Sequence, residues 1–282
     1  MEGLFKEGKT FPAFVRFSNG DTHLNADSQP QPRGIAIKLV GVEGEKVRGH
    51  ESELTQDFLA TSHSVTGIVR NARQFIAVIE SLKNGRPHFA ALAKSPDVGF
   101  LEACRILLGL FREVRLAKVN SMATETYFGT APIKWGSYAV KFAFRPRQQP
   151  WPANNKDNPD YLREELVRRL SEGDLLFDFV VQFFEDESLT PIEDTSVKWK
   201  SDFFKVGELV IPKCDAASPE GRALTAYVEN LSFSPWHGLA AHQPLGSIMR
   251  ARRFAYPASA GARSMTGAAP TEPRGVLRST PG

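Results

Sequence analysis

The chain has 282 residues, 41% of them hydrophobic and 24% charged, and 35 basic against 32 acidic side chains leave a formal net charge of +3. That length can bury a substantial core in one large domain or two smaller ones, and so weak a net charge recommends neither nucleic acid nor an anionic membrane as partner. The two cysteines, Cys104 and Cys214, lie far apart and in no metal-ligand spacing, which argues against a disulfide-rich secreted scaffold. The opening MEGLFKEGKTFPAF has no apolar targeting segment, and the most apolar later run, VGFLEACRILLGLF, contains Glu102 and Arg105 and is too short and too charged to cross a bilayer. A cytoplasmic protein without a membrane span is expected. Twenty phenylalanines suit a deep apolar pocket or a well-packed barrel equally.

In chain order, FPAFVRFSNGD from Phe11 is an alternating strand ended by the turn pair Asn19-Gly20, and it sets Arg16 and Ser18 on one face. Gln31-Pro32-Arg33-Gly34 turns into a second strand, IAIKLV, and Thr55-Gln56-Asp57-Phe58-Leu59 opens a third. Residues 69–82 form an amphipathic helix before Asn84-Gly85. Residues 100–114 form a second helix that is apolar on most sides and is expected to be buried. Further strands are expected around residues 127–136, over AVKFAFRP, over LLFDFVVQFFEDE and over 204–212, with a charged helix over 161–170 between them. The tail from Met265 is rich in small residues, Gly and Pro and is expected to be disordered, so that residues 1–264 form the folded domain and 265–282 the tail.

The stretch PLGSIMRARRFAYPASAGAR over residues 244–263 has a helical pattern, with Ile248, Arg252, Tyr256 and Arg263 at spacings of four, four and seven. An arginine beside a tyrosine on a buried face must find anionic or acceptor partners. A phenolate bound to ferric iron would meet that need, with Arg252 supplying the charge that keeps the phenol ionised below its free pKa of about 10. Trp236-His237 with His242 could be a metal pair, but a third ligand is lacking and solvated or structural histidines are the stronger reading. The acidic residues Glu185, Asp186, Glu187, Glu193 and Asp194 form no dyad that can be set on one face.

Arg252-Arg253-Phe254-Ala255-Tyr256-Pro257, with Arg263 seven residues after the tyrosine, resembles the proximal haem helix of the haem catalases, and PLGSIMRARRFAY resembles the form found in small catalase-like proteins, or minicatalases. VRFS, RGIAIK, TQDFL, the V-K-F of AVKFAF, VGELVI and the E-x-x-x-F-x-P of Glu229 to Pro235 resemble further family segments in the same order. The resemblance implies an α+β fold: an antiparallel β-barrel with packed helices and a C-terminal proximal haem helix. It implies a haem b whose iron is ligated by Tyr256, with Arg252 tuning the phenolate, Arg16 and Arg263 binding the propionates, and Ser18 supporting the distal side. The implied substrate is hydrogen peroxide or a small hydroperoxide, in a response to oxidative stress, and the resemblance leaves room for a homo-oligomer. Two departures stand out. Where the family has an Asn-x-Pro element, this chain has Thr61-Ser62-His63-Ser64, so Ser62 or His63 takes the position of the peroxide-binding asparagine. No histidine precedes Arg16, so the distal acid–base histidine is missing and the chain is expected to begin inside the family's domain, with turnover impaired. A haem-binding protein without useful catalysis, and an enzyme for organic or fatty-acid hydroperoxides, are the alternatives. Phe17 and Phe233 could wall a porphyrin, but sequence does not separate them from core phenylalanines.

Overall fold

A computed structural model describes residues 2–20, 25–62, 67–81, 88–116, 119–149 and 157–266, the side chains of 113–116, 260 and 262–266 excepted. The elements run β1 (Ala13–Asn19), β2 (Arg33–Val40), β3 (Thr55–Ser62), α1 (Ala72–Ser81), α2 (Phe89–Lys94), α3 (Gly99–Leu116), β4 (Tyr127–Phe128), β5 (Ile133–Trp135), β6 (Tyr138–Pro146), α4 (Tyr161–Glu172), β7 (Leu175–Phe183), β8 (Phe203–Ile211), α5 (Pro219–Glu229) and α6 (Ser247–Thr266).

The strands form one eight-stranded antiparallel sheet in the order β1-β2-β3-β4-β6-β7-β8, with β5 paired to β6. The alternation of β1 to β3 fixes their register, because a slip by one residue would turn every core side chain to the other face. Val15 pairs with Ile37 and Ile37 with Phe58 on the inner side, while Arg16 pairs with Ala36 and Ala36 with Leu59 on the outer side. A register shift at Phe179/Val180, opposite Gly207, adds a residue to β8 and increases the local twist that curls the sheet.

The inner side is an aromatic core. Phe144 and Phe179 stack with ring centroids 4.7 Å apart, and Phe58 meets Phe179 at 5.0 Å. Phe17 points here too, 6.0 Å from the Tyr127 ring, and so packs as a core phenylalanine.

α4 begins within three residues of Asn158, and its Tyr161 hydroxyl donates to the Val119 carbonyl at 2.6 Å. Its first turn is tied to the sheet through Arg33, whose guanidinium donates to the Asp27 carbonyl at 2.8 Å while the Asp27 carboxylate accepts from the Leu162 N–H at 2.9 Å. α5, which periodicity does not single out, starts at Pro219 behind Ser218, whose hydroxyl caps the Gly221 N–H at 3.0 Å.

Sequence pattern and structure differ most at α3. Ala103 and Ile106 are buried against α1 and α2, but Phe100, Leu101, Leu108 and Phe111 are exposed, as are Phe75, Ile76 and Ile79 of α1. The expected burial of this helix holds for one stripe alone, since the small α1–α3 group covers a single face of it. At the other end α6 extends to Thr266, two residues into the stretch that composition assigns to the tail. No helix among the described residues is long and apolar enough to cross a membrane.

Candidate active site

α6 begins after Gly246, whose φ of +84° suits a residue without a side chain, and its first turn is fixed by Glu193. That carboxylate accepts from the Ser247 N–H at 2.8 Å and from Arg250 at 2.9 Å, as an anion at a helix N-terminus should. In the same turn, Met249 is buried among Val47, Ala131 and Trp236, and the Trp236 indole N–H donates to the Met249 carbonyl at 2.9 Å. These contacts set the rotation of the helix.

With the N-terminal half fixed, the pair at positions i and i+4 follows. The Arg252 guanidinium donates to the Tyr256 hydroxyl oxygen, and its Cζ lies 5.0 Å from the centroid of the Tyr256 ring. Both side chains are half-buried. A guanidinium has only donors, so it engages a lone pair of the phenol oxygen. Pro257 directly after the tyrosine has no N–H for the carbonyl one turn back, inside a helix that continues to Thr266. Arg263 lies in the same helix, with its side chain outside the described residues.

The second group of expected residues lies on the outer face of β1 to β3. Arg16 and Ser18 are two positions apart on that face of β1, both half-buried. The Arg16 guanidinium lies 4.6 Å from the Phe233 ring centroid, so Phe233, unlike Phe17, belongs to the outer side. Ser18 pairs with Gly34 and Gly34 with Thr61. A Cβ on Gly34 would come within 2.7 Å of the Ser18 hydroxyl, so this glycine keeps the space beside it clear. Ala36, two positions along β2, is buried in a small apolar cluster with Phe14, Val228, Leu231 and Phe233.

Ser62 takes the opposite direction. It is fully buried on the inner face, where its hydroxyl accepts from the Arg33 N–H at 3.0 Å, and so it does not share a face with Arg16 and Ser18. His63 lies outside the described residues. A surface hollow is bounded by Arg70, Ala72, Glu193 and Ser247 at the N-termini of α1 and α6.

Between the two groups runs the segment after α5, which sequence motifs single out without revealing its partners. His237 is buried, and its Nδ1 lies 3.2 Å from Asp57 Oδ2 of β3. Asp57 also accepts from the Lys38 ammonium at 2.9 Å and from the Ser234 N–H at 2.9 Å. Lys38 in turn sits 5.6 Å from the centroid of the same Phe233 ring that underlies Arg16. On the other side, the Arg253 guanidinium lies 5.0 Å over Trp236 and donates to the Arg48 carbonyl at 2.9 Å. The segment over residues 233–237 thus joins the outer face of the sheet to α6. His242 serves the fold instead. It is buried, its Nε2 accepts from the Leu4 N–H at 3.1 Å, and burial pushes its pKa down to about 4.

No protein-family model matches the chain. Along 92% of its length it is 28% identical to a catalase-related peroxidase of Mycolicibacterium paratuberculosis, of which it covers 80%. Its fold is similar to that of a bacterial catalase, with a TM-score of 0.67 and 20% identity over 91% of this chain. It is equally similar to a fungal catalase, with a TM-score of 0.67 and 21% identity over 89% of the chain. Catalase A of Saccharomyces cerevisiae matches over 91% of the chain, again with a TM-score of 0.67, at 17% identity. The chain spans about half the length of these solved catalases, 51 to 54%. The chain thus has the fold of the haem catalases and is similar in sequence to a catalase-related peroxidase.

Proposed function

We propose that this protein is a haem-dependent oxidoreductase that consumes peroxide, in which the Tyr256 oxygen would hold the iron of a b-type haem. The observation that carries this reading is the hydrogen bond from Arg252 to the Tyr256 oxygen on a helix whose rotation is fixed by buried Met249. The residues present fit such a group: the Tyr256 oxygen has a guanidinium beside it, and Gly34 carries no side chain beside Ser18 on the face of Arg16. When bound, haem iron supplies the redox chemistry that cleaves a peroxide O–O bond.

The chain's own residues would hold and orient the group. Arg252 would hold the phenol in place by donating to its oxygen and would set a positive charge beside it. Arg16 and Arg263 supply guanidinium groups for the carboxylates of the porphyrin, for which a planar bidentate donor is suited. Phe233 supports Arg16 from below, and the Ser18 hydroxyl provides a donor and an acceptor on the same face. Because Ser62 faces the inner core, its role on this reading is to hold the β2 backbone at Arg33.

The substrate is hydrogen peroxide or a small organic hydroperoxide. The similarity to a protein named catalase-related peroxidase supports peroxidase chemistry alongside peroxide disproportionation. Two cysteines that form no disulfide support a cytoplasmic site of action. The test is to load the purified chain with haem and measure oxygen release from hydrogen peroxide and hydroperoxide-dependent oxidation of a phenolic dye. A Soret band with turnover of either peroxide is expected. A Soret band without turnover would leave a haem-binding protein that does no useful catalysis, and absence of the band would overturn the reading.

A further inference from the structure

We infer that His50, Glu53 and His237 form a binding site for a divalent transition metal ion such as zinc, outside the proposed haem site and tying the β2–β3 loop to the segment before α6. The ligating atoms of the three side chains lie within 4.8 Å of one another. A tetrahedral zinc with bonds of about 2.0–2.1 Å sets its ligand atoms about 3.3 Å apart, so a modest closure of side chains completes three positions and leaves one for water.

The backbone brings these residues together before any ion is needed. His50 and Glu53 belong to one turn, closed by the Glu53 N–H donating to the His50 carbonyl at 3.1 Å, which aims both side chains the same way. The opposing segment is laced to this loop by bonds from the Val47 N–H to the Gly238 carbonyl and from the Ala240 N–H to the Glu45 carbonyl, each 2.9 Å. The Asp57 N–H donates to the His237 carbonyl at 2.8 Å, which seats the imidazole over β3. The His50 and His237 rings then stand 5.1 Å apart between centroids.

Three features point to an ion rather than to packing alone. The first is the placing of His237. Its Nδ1 lies 3.2 Å from Asp57 Oδ2 and 3.3 Å from the Lys38 ammonium, and its Nε2 lies 3.8 Å from Glu53 Oε2. A carboxylate behind one ring nitrogen with the other turned to an acidic partner is the arrangement that orients histidine for a metal. The second is Glu53, whose Oε1 meets His50 Nδ1 at 2.9 Å while its Oε2 is buried with no hydrogen-bond partner. A buried carboxylate oxygen without a donor is costly, and a cation removes that cost. The third is the donor set, two imidazoles and one carboxylate, which suits zinc and its neighbours and not magnesium or calcium. Two lysines oppose an added cation: Lys38, neutralised by Asp57 at 2.8 Å, and Lys46, whose Nζ donates to the Thr55 carbonyl at 3.0 Å. Glu53 and Asp57 balance them.

The experiment is calorimetric titration of zinc chloride into the full chain, purified and dialysed against chelator, with melting temperature recorded with and without zinc. One zinc ion per chain and a rise in melting temperature are expected. His50→Ala and Glu53→Gln, both at partly exposed positions, should each weaken binding at least about tenfold, while His88→Ala, at an exposed histidine elsewhere, should bind as the wild type does. The inference is overturned if the wild-type chain takes up no zinc at that stoichiometry, or if His50→Ala and Glu53→Gln bind as tightly as wild type or no more weakly than His88→Ala. Haem uptake is not read in this assay, so its failure leaves the reading of Tyr256 standing.

Discussion

The inner and outer faces of β1 to β3 are made from alternate residues of the same three strands, yet they obey different chemistry. Val15, Phe17, Ile35, Ile37, Phe58 and Ala60 face inward and join one aromatic core. Arg16, Ser18, Lys38 and Asp57 face outward, where charge is balanced by Phe233, Ser234 and His237. A two-residue period therefore lets one stretch of chain serve both fold and site. Substitutions on the inner face should act through stability, and those on the outer face through buried charge and ligand affinity.

The largest expected effect is on the inner face. Phe179→Ala should cost about 3–5 kcal/mol in guanidinium unfolding, since it opens a cavity among Phe58, Phe142 and Phe144. The haem affinity of the protein that remains folded should be unchanged, and a selective loss of haem would blur the two faces.

On the outer face, Asp57→Ala should cost a similar amount, about 3–5 kcal/mol, because it strands the buried Lys38 ammonium. Adding Lys38→Met should recover part of that loss. A double variant no more stable than the single one would show that Lys38 is not the group left unpaired.

A smaller effect is tied to pH. His242 binds its proton near 6.5 when unfolded and near 4 when folded, its pKa pushed down by burial. Between those values the unfolded chain holds more protons, so stability rises with pH. The contribution is full above pH 6.5 and is lost as pH falls toward 4, by about 3 kcal/mol at most. His242→Gln keeps an acceptor for the Leu4 N–H and should flatten this slope between pH 4 and 6.5; an unaltered slope would assign it to another group.

The smallest effect belongs to Arg250→Ala. Its partner Glu193 is half exposed and the arginine more so, which limits the loss to below about 1 kcal/mol. A larger loss in thermal unfolding would mean that Glu193 holds the start of α6 through this pair more than through the Ser247 N–H.

Much of this is legible in the sequence. The alternation of VRFS and RGIAIK places Arg16 and Ser18 on one face, and the four-residue spacing places Arg252 against Tyr256, because both follow from local geometry alone. The Asp57–His237 contact joins residues 180 positions apart and leaves no trace in periodicity, so Trp236-His237 can be marked in the sequence but not paired. Strand direction is equally hidden at a strand end, where Ser62 faces inward. Phe17 and Phe233 are chemically identical in sequence, and only the pairing of strands sends one to the core and the other under Arg16.

At the centre stands the proposal that the Tyr256 oxygen, beside Arg252, would hold a ferric haem. Titrating ferric haem into the wild-type chain and into Tyr256→Phe, while following the Soret band, tests it most directly. The account predicts saturable uptake by the wild type and loss of the axial-ligand spectrum with at least about tenfold weaker binding in the variant. Equal affinity and an identical spectrum in the two proteins would contradict it.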